Sequence, residues 1–217
     1  MKSVAGASVF HWLRLRSRLL MPAATTARLA ELQARIRPHF LFNTLNTAIA
    51  LVRVDPGRAE TLLEDLAELF RAALADAQAQ VTLEQEVELA RRYLDIEQVR
   101  FGGRLQVQWE LDPSAGPARL PPLILQPLVE NAVYHGIEPG SQPGTINISA
   151  RRVGDQVRLE LINPYWPEHQ HRQGNRMALD NIRERLQLHF DVEASLSSGP
   201  RDGRFEIRIE MPVRTAR

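Results

Sequence analysis

The chain has 217 residues, of which 44% are hydrophobic and 24% charged, with a net charge of +1. That suits one large or two small globular domains with real cores, and it excludes a nucleic-acid partner held by overall positive charge. There is no cysteine, which excludes disulfides and thiolate metal sites. No apolar run reaches the roughly 18 to 20 residues that a membrane-spanning helix needs.

The chain opens basic: Lys2, Arg14, Arg16, Arg18 and Arg28 come before the first acidic residue, Glu31. Its Val9-Phe10-His11-Trp12-Leu13 patch is too short for a signal-peptide core. Residues 1–23 therefore read as a basic leader or as the cytoplasmic flank of a membrane anchor outside this chain, and both readings stay open. A long helix is expected over residues 24–53, because Leu32, Ile36 and Phe40, then Leu45, Ile49 and Val52, trace an apolar stripe. His39 lies beside Phe40 on the flank of that stripe, and Asn43 sits one turn further on. Pro38 removes a backbone donor directly before the histidine and loosens the helix there.

Asp55-Pro56 marks a new helix start, with Asp as N-cap and Pro at the first position. Leu62, Leu63, Leu66, Leu69, Phe70, Ala73 and Leu74 follow at helical spacing. Two such helices make a hairpin that buries little alone, so a second copy completing a four-helix bundle is the expected solution. A third helix opens at Thr82 with Gln85 three residues on, a capping-box pattern, and stops at Gly102-Gly103.

The pattern then changes. Leu105, Val107, Trp109 and Leu111 alternate with polar residues as in a half-buried strand. After a proline-rich link, a helix is expected over about 123–136. Residues 146–161 read as a hairpin turning at Gly154-Asp155, and a loop covers 164–175. A helix follows over about 177–190, then strands near 192–198 and 204–211. This order predicts an α+β sandwich: a mixed sheet with helices on one side.

Chemistry concentrates in Leu123-Ile124-Leu125-Gln126-Pro127-Leu128-Val129-Glu130-Asn131-Ala132-Val133-Tyr134-His135-Gly136. Leu125, Leu128, Val129 and Ala132 form the buried face, while Glu130, Asn131, Tyr134 and His135 fall on or beside the other side. Asn131 offers an oxygen suited to Mg²⁺, and His135 a donor for phosphate oxygens. Glu130 is a carboxylate that can orient or deprotonate a nucleophile. Read alone, this is equally an ordinary polar helix face. His169 and His171 read as solvated loop residues, His189 as a partly buried helix residue, and Arg183 and Arg185 as the exposed face of their helix.

Four ordered motifs across residues 30–213 resemble the LytS-type sensor histidine kinases, most closely the AlgZ/FimS-like branch. Gln33 through Asn43 resembles the phosphoacceptor segment Gln-x-x-x-Pro-His-Phe-Leu-Phe-Asn. Tyr93 to Phe101 resembles the Tyr-Leu-x-Ile-Glu-x-x-Arg-Phe run, and Pro127 to Gly136 the N-box of the Bergerat-type ATP-binding fold. Ala178 to Leu186 is similar to the helix that follows the lid. The resemblance implies residues 24–101 as dimerisation and phosphotransfer helices, and 102–217 as an ATP-binding α/β sandwich.

It further implies ATP-dependent phosphorylation of His39, with Asn43 orienting the ring, and transfer to an aspartate of a LytTR-type response regulator controlling transcription. No acidic residue directly follows His39, so Glu130 is the best candidate for the base. The implied nucleotide set is Asn131 (also the Mg²⁺ ligand), Tyr134, His135, Asn163, Gly174, Arg176, Met177 and Leu179. Implied too are a homodimer, no direct nucleic-acid contact, and attachment to the inner membrane through a segment absent from this chain.

The departures lie in the glycine loops. An Asp-x-Gly-x-Gly element of the family reads Asn163-Pro164-Tyr165-Trp166 here. The Gly-x-Gly-x-Gly-Leu loop reads Gly174-Asn175-Arg176-Met177-Ala178-Leu179, with one glycine kept and a cationic Arg176 in place of another. The alternative is therefore a weak or inactive pseudokinase that binds its regulator through the helical dimer. An ATPase of the same fold, such as a chaperone or mismatch-repair type, leaves the histidine helix without a purpose.

Overall fold

The computed structural model describes residues 38–75, 79–169 and 174–214. The expected 1–23 leader, residues 24–37 of the expected long helix, Gln33 and His171 lie outside them. The chain divides into two compact units, residues 1–43 and 44–217.

Helix α1 spans Pro38–Leu51. Thr44 and Ala48 are its buried residues, while Phe42, Leu45, Ile49 and Val52 are 64%, 37%, 69% and 55% exposed. The small side chains are thus covered and the large apolar ones form a solvent-facing row. Helix α2 (Pro56–Leu74) starts as its sequence demands: the Asp55 carboxylate accepts the Arg58 N–H at 3.0 Å, with Pro56 opening the first turn. Its buried stripe is Ala59, Leu62, Leu66, Leu69 and Ala73.

Helix α3 (Leu83–Phe101) begins with the predicted capping box. The Thr82 hydroxyl accepts the Gln85 N–H at 3.2 Å, and the Gln85 side chain accepts the Thr82 N–H at 2.9 Å. Helices α2 and α3 pack together and are tied by Arg92, whose guanidinium lies 2.7 Å from the largely buried Asp65 carboxylate. Just before α3, strand β1 (Val81–Thr82) pairs antiparallel with β3 (Arg119–Leu120), a two-residue ladder too short for periodicity to reveal.

Strand β2 (Leu105–Leu111) leads through β3 into helix α4 (Leu125–Ala132), which runs on into a π-helical turn, Val133–Ile137. Strands β4 (Gly144–Val153) and β5 (Gln156–Pro164) form the predicted hairpin, with Gly154 at φ +62° in its turn. Helix α5 (Gly174–Phe190) precedes β6 (Ser195–Arg201) and β7 (Arg204–Pro212).

The sheet order is β2-β4-β5-β7-β6, with β2 parallel to β4 and every other pair antiparallel. This is the mixed sheet with covering helices that the sequence predicted. Register places Ile148 opposite Leu161, Leu161 opposite Ile207, and Leu159 opposite Ile209. All of these lie in the core with Leu125, Leu128 and Val129 of α4 and Leu179, Ile182, Leu186 and Phe190 of α5. The opposite sheet face is charged, laced by Arg158–Glu210 at 2.9 Å and Arg208–Glu160 at 2.7 Å. As an edge strand, β2 fully buries only Leu105 and leaves Val107, Trp109 and Leu111 half-covered. No described helix is long and apolar enough to cross a membrane.

Candidate active site

His39 is solvent-exposed near the start of α1, so a large reactant can reach its ring. The Asn43 amide nitrogen stands 3.2 Å from Nδ1 and 3.3 Å from Nε2, one turn along the helix. That amide can donate to whichever ring nitrogen lacks a proton, and so hold the ring in place.

The second cluster lies in the unit of residues 44–217. Leu125, Leu128, Val129 and Ala132 bury α4 as predicted, and Glu130, Tyr134 and His135 are half-exposed. The Gln126 amide donates to the Glu130 carboxylate at 3.0 Å across one helical turn. The Tyr134 and His135 rings meet edge to face with centroids 4.9 Å apart, held by the π-helical turn, a backbone form that favours functional sites. Asn131 lies beside that polar side rather than on it: it is 4% exposed. It stands three residues after Leu128 and two after Val129, at the margin of the buried stripe.

Asn163 sits at the end of β5 and is 3% exposed. Its amide nitrogen donates to the Pro164 carbonyl at 2.7 Å. It packs so tightly on Gly136 that a side chain there would come within 2.6 Å of the Asn163 nitrogen and 3.0 Å of the Pro164 oxygen. Trp166 stands in the element whose glycines are missing. Its indole N–H donates to the Gly136 carbonyl at 2.8 Å, and its ring covers Gly140, where a Cβ would lie 2.6 Å from Cζ2. An aromatic side chain thus closes over two glycines at this point.

The other glycine-poor segment folds differently from a loop. Gly174 opens α5, so Gly174 through Leu179 are helical. Arginine and alanine are better helix formers than glycine, which favours a helix that starts this early. Met177 is 64% exposed, whereas Leu179 is 5% exposed and packs into the core. Nothing is described of the Arg176 side chain. Arg183 is exposed as expected, paired with Asp180 at 2.7 Å. Arg185 is a correction: it is half-buried and donates to the carbonyls of Pro122 and Leu123.

Sequence reasoning missed three residues that shape this site: Glu86, Arg104 and Trp166. Glu86 is 2% exposed, and its carboxylate accepts the backbone N–H groups of Leu123, Ile124 and Leu125. Burial pushes its carboxyl above the ordinary value, against the opposite pull of those N–H groups and Arg185. A signal was available, since Glu86 falls in phase with the apolar stripe Leu83, Val87, Ala90 and Leu94. A charge on a buried helix stripe calls for a partner.

Residues 27–105 match the family model described as histidine kinase. Among curated proteins, sensor histidine kinase YpdA of Escherichia coli (strain K12) is 35% identical over 184 residues, covering 80% of this chain and 32% of that protein. Sensor histidine kinase BtsS of the same strain is 34% identical over 192 residues, covering 88% of this chain and 34% of that protein. Sensor protein LytS of Staphylococcus saprophyticus is 33% identical over 183 residues, covering 78% and 31%. The chain thus spans about a third of the length of the curated relatives it matches. An exposed histidine held by an asparagine inside the matched segment, followed by the helical region and sandwich, agrees with these matches, and the chain belongs to the LytS-type sensor histidine kinase family.

Proposed function

We propose that this chain is the core of a two-component sensor histidine kinase that phosphorylates His39 from ATP and passes the phosphoryl group to an aspartate of a response regulator. Residues 24–101 serve as the dimerisation and phosphotransfer part and 102–217 as the ATP-binding part. The observation that carries the reading is the exposed His39 ring paired with Asn43. An unprotonated ring nitrogen of His39 attacks the terminal phosphorus, the bond to the bridging oxygen breaks, and ADP leaves with those electrons. Glu130, aligned by Gln126, takes the ring proton.

The donor set fits a magnesium nucleotide in its oxygens and imidazole. Asn131 would hold the metal, His135 and Tyr134 flank the phosphates, and Asn163, its nitrogen engaged by Pro164, keeps its oxygen as an acceptor for the adenine amino group. Mg²⁺, when bound, offsets the negative charge of the phosphates. Incubation with γ-labelled ATP and Mg²⁺ tests the reading: wild type takes up label and His39→Gln takes up none. An unlabelled wild type, or label persisting on His39→Gln, overturns it.

The second reading, a weak or inactive pseudokinase that works by binding its regulator, is favoured by the helical Gly174–Leu179 segment and by Trp166, bonded to the Gly136 carbonyl with its ring over Gly140. It predicts regulator binding without labelling. In either case the partner is a LytTR-type regulator, no nucleic acid is contacted directly, and the core sits at the cytoplasmic face of the inner membrane behind a segment outside this chain.

The outward row Phe42, Leu45, Ile49 and Val52, with Leu63 of α2 at 41% exposure, supports a homodimer built on these helices. Ile49→Glu is expected to raise the dimer dissociation constant by about tenfold or more, since a charge would enter an apolar interface. Sedimentation analysis reads this directly. An unchanged dimer would remove this face from the interface.

A further inference from the structure

The segment carrying Glu130, Asn131, Tyr134 and His135 is gripped at its leading end by α3 and at its trailing end by the last turn of α3 and the turn that follows it. At the leading end the Glu86 carboxylate accepts N–H groups of Leu123 at 2.6 Å, Ile124 at 2.7 Å and Leu125 at 2.8 Å. Leu123 has φ +57°, a left-handed conformation that a residue with a side chain adopts only when its surroundings impose it. Arg185 of α5 completes the grip through the Pro122 carbonyl and the Leu123 carbonyl at 3.3 Å.

At the trailing end Arg104, three residues past α3, donates to the Ile137 carbonyl at 3.2 Å and to the Gly140 carbonyl. Arg100 lies 3.1 Å from the buried Glu97 carboxylate and reaches toward Glu138 at 3.9 Å. Both guanidiniums lie over the Phe101 ring, at 4.1 Å for Arg100 and 5.3 Å for Arg104. On its other side α3 is tied to α2 through Arg92 and Asp65. Helix α3 and the turn that follows it are therefore tied to α2 on one side and hold residues 123–140 at two points.

We propose that Glu86 and Arg104 are positioning residues, and that α3 acts as a splint through which movement of the helical part shifts residues 123–140 as one body. The inference rests on the kinase reading above for its consequence, though not for its mechanics. A splint predicts that releasing one end loosens the other, because the segment is short and its middle is locked into the core at Leu128 and Val129.

The test uses Glu86→Gln and, as a milder second variant, Arg104→Met, with Arg104→Lys as the conservative rescue. Amide hydrogen exchange without nucleotide is the first readout. Either loss variant is expected to speed exchange about tenfold or more at residues 123–125 and also at 136–140, with strands β4 to β7 keeping wild-type protection and Arg104→Lys restoring most of it. Faster exchange confined to the mutated end, or spread through the whole sheet, overturns the proposal.

Labelling of His39 at varied ATP is the second readout. Its maximal rate should fall about tenfold or more while the KM for ATP stays within about threefold. An unchanged maximal rate also overturns the proposal. An unlabelled wild type removes the kinase reading instead, and the exchange result then decides the splint.

Discussion

Glu130→Gln is expected to slow phosphorylation of His39 by about two to four orders of magnitude, the usual contribution of a positioned general base. The substitution suits the purpose because glutamine keeps the length and one acceptor oxygen of glutamate. The Gln126 amide, 3.0 Å from the carboxylate, can still donate to it, so helix α4 should not rearrange. What disappears is the negative charge and its capacity to take a proton. Nucleotide affinity should stay within a few-fold, and the loss should appear in the maximal rate. Quench-flow labelling with γ-labelled ATP measures it. A variant that labels at the wild-type rate would relieve Glu130 of that role and leave proton transfer to water, since the residue directly after His39 is Phe40 and not an acid.

Leu128→Ala should have the largest effect on stability. Leu128 is fully buried in the middle of α4, two residues before Glu130 and three before Asn131. Removing three carbons there leaves a cavity, and such changes cost about 2 to 5 kcal/mol. For a unit of this size that is roughly a 5 to 15 °C fall in the unfolding midpoint, read by calorimetry or thermal circular dichroism. Leu188→Ala on the exposed side of α5, at 82% exposure, is the matching control and should stay within about 0.5 kcal/mol. If Leu128→Ala behaved like the control, α4 would not be the packed platform that fixes the site.

Much of the architecture was legible because it follows from local rules. Period-two alternation marked β2 and the β4–β5 hairpin, and the glycine at φ +62° confirmed its turn. Asp55-Pro56 and Thr82 with Gln85 announced helix starts that the structure places at those residues. The start of α5 was read three residues late, because glycine and asparagine looked like loop while the arginine and alanine beyond them favour helix. The apolar stripe of α1 was also legible, but not its fate: the row is outward-facing, and the small residues Thr44 and Ala48 are covered.

The candidate site was legible as a set of residue types and less so as an arrangement. Asn131, placed on or beside the polar side of its helix, is buried, Leu179 packs into the core, and Arg185, expected on an exposed face, is bonded to two carbonyls. Each of these depends on what another element brings alongside, which no periodicity along one helix records. Trp166 is the plainest case: its indole finds a carbonyl 30 residues earlier in the chain.

The amino-acid order alone determined where helices and strands begin, which faces are apolar, and which histidine opens the described part of the segment that matches the histidine kinase family. Hydrogen bonds within a turn and side-chain period act over a few residues, and those are printed in the sequence. The tertiary structure alone decided that a glutamate on α3 caps a helix 37 to 39 residues away, and that Arg104 closes the far end of the same segment. Such contacts exist only once the core has brought distant segments together, since a buried charge accepts whichever backbone donors the packing leaves facing it.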